Sequence, residues 1–142
     1  MEKVWVFFYG TFMSARVLQK HGIDCSITYT AKLDGYSLSI SPRVNLTPDN
    51  EACSYGGLAL VDPSDIAMLY GGLKRDFDID YFPYPVVVEM WDKSTRVALC
   101  YISSESTEEA PDLSYINEME KCAKEMGAPQ SYISHIKSFA KY

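Results

Sequence analysis

Val6-Phe7-Phe8-Tyr9-Gly10-Thr11-Phe12-Met13-Ser14 is the stretch on which the reading of this fold turns. Val4 to Phe8 is short, β-branched and aromatic, which predicts a buried strand. Tyr9-Gly10-Thr11 breaks it. Ser14 then caps a short helix to about His21, and Gly22 stops it. Glycine at a strand-to-helix break lets the backbone turn tightly and lets a ligand approach closely. The amides that follow can hold a carboxylate or a developing oxyanion. No GxxxxGK follows, so the turn is not a P-loop.

Working outward, Ala31 to Ser39 reads as a second strand, with Leu33, Tyr36 and Leu38 on candidate buried faces. Ser41 to Cys53 reads as irregular, because Pro42, Pro48, Asp49 and Asn50 are turn residues. Tyr55 to Val61 is the third strand. Asp62 as N-cap and Pro63 at the first helical position open a helix that the Gly71-Gly72 pair is expected to end near Tyr70. A polar and aromatic loop, Leu73 to Pro83, should follow. Tyr84 to Trp91 and Thr95 to Ile102 form a hairpin about Asp92-Lys93-Ser94.

The last third is helical. Tyr115, Met119, Cys122 and Met126 fall on one helix face behind a cap at Asp112 or Ser114; Gly127 stops that helix and Pro129 starts another. Strands precede residue 103 and helices follow it. The class is α+β, one domain over 1–142, with a curved, partly closed sheet and two C-terminal helices.

Composition narrows the function. An apolar share of 47% and a charged share of 23% are those of a globular domain. The net charge of −6, with Lys74-Arg75 as the longest basic cluster, argues against a nucleic-acid partner. Glu105, Glu108, Glu109 and Asp112 read as a solvated acidic loop. Cys25, Cys53, Cys100 and Cys122 have neither redox nor metal-ligand spacing, and His21 and His135 lie far apart, so no metal is expected. No nucleotide or flavin motif occurs, so no cofactor is expected. No apolar run reaches the ~20 residues of a membrane span, and the N-terminal run is too short for a signal peptide. The expected location is the cytoplasm, with thiols reduced. The 11 tyrosines combine apolar bodies with polar tips, suited to core, sheet surface or a pocket wall.

Three segments carry a family resemblance. Val6 to Ser14 resembles the opening strand and Tyr-Gly-Ser/Thr-Leu loop of gamma-glutamylcyclotransferase-like proteins. Leu38 to Leu46, then Tyr55-Gly56-Gly57-Leu58, is similar to their second and third strands with the Ser-Pro-Arg-x-Asn loop between. Ala110-Pro111 through Tyr115 to Met126-Gly127-Ala128-Pro129 and Tyr132 resembles their closing helices. The resemblance implies a small mixed β-barrel with flanking helices. It also implies a cofactor-independent reaction, in which the α-amine of a γ-glutamyl compound attacks its own side-chain carbonyl. A 5-oxoproline ring closes and the amine leaves. Such a reaction is intramolecular, so the pocket mainly folds the substrate. One glutamate moves the proton in active family members.

At the corresponding place this chain reads Leu69-Tyr70-Gly71-Gly72-Leu73-Lys74, with Leu73 where the glutamate stands. Tyr81-Phe82-Pro83-Tyr84-Pro85-Val86 is similar to a Tyr-x-Pro-Glu-Ala-Val strand entry of some bacterial members, with Tyr84 in place of a carboxylate. Asp76, Asp78 and Asp80 are the candidates for a replacement base. Glu89 alternates with Val86, Val88 and Met90 and is expected on the outer face of its strand. Tyr9, Gly10, Thr11 and Phe12 are the candidate cradle, Arg43 a candidate fork for a substrate carboxylate, and Tyr84 a candidate hydrogen-bond donor. The expected partner is a small γ-glutamyl substrate or similar carboxylated metabolite. Three functions follow: cyclotransfer with an aspartate as base, binding without catalysis, or different chemistry in the same cleft through a tyrosine.

Overall fold

A computed structural model describes residues 2–24, 28–104 and 109–140. Cys25, Glu105 and Glu108 lie outside the described residues. Five strands close into a barrel in the order β1-β3-β2-β4-β5. They are β1 (Val4–Phe8), β2 (Thr28–Ile40), β3 (Val44–Val61), β4 (Phe82–Met90) and β5 (Thr95–Ile102). β1 runs antiparallel to β3 and parallel to β5, so the barrel is mixed. Four helices surround it: α1 (Ala15–Lys20), α2 (Pro63–Phe77), α3 (Leu113–Met126) and α4 (Gln130–Lys137). No described helix is long and apolar enough to cross a membrane.

The core follows from the sequence pattern. Val6, Phe7 and Phe8 of β1 are essentially inaccessible, as an apolar run in a central strand requires. Val86, Val88 and Met90 are buried on β4 while Val87 is exposed, the period of two expected of a strand with one wet face. Ile116, Met119, Cys122 and Ala123 bury one stripe of α3. Ser14 accepts from the Val17 amide as the N-cap of α1, and Asp62 accepts from the Ser64 amide as that of α2. Arg16 of α1 ties down α3 through Glu118 at 2.8 Å and Glu125 at 2.9 Å. Glu89 is partly exposed and pairs with Lys93 at 3.4 Å.

Two elements differ from expectation. Ser41 to Cys53 is not irregular, since β3 begins at Val44 and pairs with β2 as far as Ile40↔Val44. Val44 and Leu46 are buried and alternate with Asn45 and Thr47. The turn residues Asp49 and Asn50 are absorbed where the register shifts, between the pairs Tyr36↔Pro48 and Asp34↔Cys53.

The second difference is α2, which does not stop at Gly71-Gly72 but continues to Phe77. Two interior glycines cost about 1 kcal/mol each. The apolar spacing Ile66, Leu69, Tyr70, Leu73, Phe77 nonetheless carries on through them, and each of these residues packs in the core or lines a cavity. Asp78 closes the helix in the left-handed region at φ 54°, its amide donating to the Lys74 carbonyl. Most of the expected loop is therefore helix, and only residues 78–81 link α2 to β4.

Candidate functional site

β1 ends at Phe8, and Gly10 leads into a single 3-10 turn at Thr11–Met13. That turn rests directly on β3. A side-chain carbon at Gly57 would come within 2.8 Å of the Met13 carbonyl oxygen, so only glycine lets the strand pass beneath the turn. The amides of Thr11 and Phe12 open the turn, where a helix leaves its first N–H groups without intrahelical partners.

Tyr9, Gly10, Thr11 and Phe12 form one wall of a small pocket with about 40 Å³ of free volume. Tyr70 and Leu73 come from α2, Tyr101 from β5 and Tyr115 from α3, with Tyr81, Arg43 and Val44 at the side. The rings pack tightly. Tyr70 stacks on Tyr101 with centroids 4.1 Å apart, and Phe12 meets Tyr70 edge-on at 5.9 Å.

Several of the phenols have fixed roles. Tyr9 donates to the Tyr101 carbonyl at 2.6 Å, and Tyr81 donates to the Val44 carbonyl at 2.6 Å. Tyr115 accepts from the Val44 amide at 3.3 Å. Burial pushes the acidities of Tyr9, Tyr70, Tyr101 and Tyr115 up from the usual phenol value, and that of the neighbouring Cys100 thiol up to about 12. These groups stay protonated at neutral pH. They can donate hydrogen bonds or present aromatic faces, but they are not bases there.

Arg43 sits at the tip of the β2–β3 hairpin, next to the cis Ser41–Pro42 bond. Its guanidinium lies 4.1 Å from the Phe77 ring centre and 4.0 Å from that of Tyr115. Stacking fixes the plane of the fork and leaves its edge donors for a carboxylate. Arg43 also lines a second, larger cleft of about 550 Å³, shared with Val44, Asn45, Tyr81, Phe77 and Asp78. Asn45 is held there by a reciprocal pair with Ser103, donating to its carbonyl at 2.8 Å and accepting from its amide at 3.0 Å.

The structure thus brings Tyr9, Gly10, Thr11, Phe12 and Arg43 to one pocket, and Leu73 with them. Asp76, Asp78 and Asp80 do not line that pocket. Asp76 pairs with Arg75, while Asp78 and Asp80 share Lys74 at 2.8 and 3.1 Å. The Lys74 ammonium holds the Asp78 carboxyl below the usual carboxylate range. Of the three, only Asp78 lines the adjoining cleft. Tyr84 lines neither cavity. It lies on β4 opposite Cys100 and is 46% exposed, which corrects its expected place at the site. Tyr70, Tyr81, Tyr101 and Tyr115 were not singled out from the sequence. The richness in tyrosine was the only signal for them, because the rings converge from separate elements.

The pocket-lining residues include no carboxylate and no imidazole. His21 touches Phe12 edge-on, with centroids 5.5 Å apart, without lining the pocket. No group of three possible metal ligands occurs among the described residues. The pocket can therefore bind an anion and a flat or apolar group, but its walls hold no group to take a proton from an ammonium.

No family model matches the chain, and no curated protein matches it either. Solved structures do. A gamma-glutamyl cyclotransferase superposes with a TM-score of 0.85 at 16% identity, over 99% of this chain and 90% of that one. YkqA from Bacillus subtilis superposes with a TM-score of 0.79 at 22% identity, over 97% of this chain and 54% of the other. A yeast gamma-glutamyl cyclotransferase specific to glutathione gives a TM-score of 0.64 at 12% identity, over 98% and 96%. The chain has the gamma-glutamylcyclotransferase-like fold, a closed mixed barrel of five strands with four helices.

Proposed function

We propose that this chain binds a small carboxylated metabolite of the γ-glutamyl type in the aromatic pocket, and does not cyclise it through a pocket carboxylate. The observation that carries the reading is Leu73 on the pocket wall, in a lining without carboxylate or imidazole. Ring closure needs a proton taken from the α-ammonium and one returned to the leaving amine. Leucine does neither. What the pocket retains suits recognition: the Arg43 fork, protonated phenols and the amides of Thr11 and Phe12.

A second reading is cyclotransfer with Asp78 as base, favoured by its position on the adjoining cleft. Its pairing with Lys74 and its lowered acid constant make it a weak base, which ranks this reading below binding. One experiment separates the two. Purified protein is titrated calorimetrically with γ-glutamyl amines, γ-glutamyl amino acids and glutathione, and 5-oxoproline is followed by mass spectrometry in the same mixtures. Binding that Arg43→Ala weakens at least about tenfold, without 5-oxoproline release, is the expected result. Release that scales with protein concentration and is lost in Asp78→Asn would establish the second reading instead.

A further inference from the structure

We infer that the small pocket and the larger cleft are two halves of one elongated site joined at Arg43, so that the ligand is a γ-glutamyl amide with an extended, uncharged polar remainder. The inference rests on the binding reading above and adds the class of the ligand's second half.

The volumes set the division. About 40 Å³ admits a few heavy atoms, whereas the cleft has about 550 Å³. The pocket can take only a small head group, and the bulk of any ligand has to lie in the cleft. Arg43, Val44 and Tyr81 belong to both linings, so nothing but their side chains separates the two spaces. They are rigidly held. Tyr81 and Tyr115 fix the Val44 backbone, and Phe77 and Tyr115 sandwich the guanidinium.

Charge sets the chemistry of the remainder. Arg43 is the one cation among the residues lining either cavity, so the site provides for one carboxylate, at the junction. Beyond the junction the cleft presents Ser39, Ser41 and Thr47, along with the carboxylates of Asp78 and Glu109. A second carboxylate there meets like charge and no cation. A neutral chain ending in hydroxyl or amide meets polar side chains of its own kind.

The test compares a short ligand, γ-glutamylmethylamide, with the γ-glutamyl amide of a four-carbon amino alcohol and with γ-glutamylglutamate, all by calorimetry. The extended neutral amide should bind about tenfold tighter than the short one, and γ-glutamylglutamate should show no such gain. Thr47→Trp, which fills the cleft from an exposed strand position, should bring the ratio of the two amide affinities to about one. Ser39→Phe provides the same test from the partner strand, with thermal melting to verify folding. Equal affinities in the unmodified protein, or a ratio that survives both cleft-filling changes, overturn the bipartite site while leaving the pocket reading in place. If neither amide binds, the pocket reading falls and this one with it.

Discussion

The Tyr81 hydroxyl donates to the Val44 carbonyl at 2.6 Å, while the Val44 amide donates to the Tyr115 hydroxyl at 3.3 Å. Both polar groups of one peptide position are thus held by tyrosines from outside the sheet, next to the residue that carries the candidate fork, Arg43. Removing the Tyr81 hydroxyl leaves a buried carbonyl without that donor. Tyr81→Phe should lose about 1–2 kcal/mol of stability by denaturant unfolding, and its ligand affinity should fall because the hairpin tip loosens.

Gly57 and Gly71 should respond oppositely to alanine. At Gly57 a methyl group meets the Met13 carbonyl oxygen at 2.8 Å and Met13 Cα at 3.3 Å, both backbone atoms that cannot swing aside. Gly57→Ala should cost about 1–3 kcal/mol and displace the Thr11–Met13 turn. Gly71 lies within α2 at negative φ, with nothing within 4 Å of an added methyl group. Gly71→Ala should raise stability by about 1 kcal/mol. Thermal melts of the two variants beside the unmodified protein check both signs.

The contrast between these glycines shows where sequence reasoning stops. Val4–Phe8, the Ser14 and Asp62 caps, the β4–β5 hairpin and the Gly127 stop were legible because each is a local signal with a local cause. The end of α2 was not. Gly71-Gly72 carries the local signature of a helix stop, and tertiary packing of Leu73 and Phe77 overrides it. The start of β3 was hidden in the same way by Pro48, Asp49 and Asn50, whose turn chemistry fits a register shift as well as a loop. In the candidate site, Tyr9 to Phe12 and Arg43 were readable from motifs. Tyr70, Tyr101 and Tyr115 were not, because only the closed barrel brings α2, β5 and α3 to one point.

The buried phenols predict an alkaline limit. Burial first, then neighbouring groups including Cys100, pushes Tyr9 and Tyr70 well above the ordinary value of about 10. Above pH ~10 the unfolded chain releases phenolic protons that the folded chain retains. The folded state then binds more protons, so stability falls as pH rises. The contribution is complete below pH ~10 and is lost progressively above it. Near-ultraviolet tyrosinate absorbance should show Tyr9 and Tyr70 ionising only together with unfolding, and Tyr70→Phe should lessen the alkaline loss of stability.

Leu73→Glu tests whether the pocket has lost only its proton carrier. Leu73 is partly buried between Tyr70 and the Thr11–Phe12 turn, so a carboxylate there gives up some hydration. The cost should be about 1–3 kcal/mol, visible as a lower melting temperature. The same desolvation should raise the acidity constant of the new carboxyl and bring it closer to the range useful for moving a proton at neutral pH. The remaining parts are in place: Arg43 to hold the α-carboxylate, the opening amides of the 3-10 turn for the oxyanion, and a pocket that folds the chain so that ring closure is intramolecular. The expected result is slow 5-oxoproline release from a γ-glutamyl amide that binds the unmodified protein, with Leu73→Gln, similar in size and unable to carry the proton, showing none. A folded Leu73→Glu protein that binds the amide and releases nothing would mean that the pocket departs from a catalytic arrangement at more than Leu73, with the placement of Arg43 and the Thr11–Phe12 amides the next positions to change.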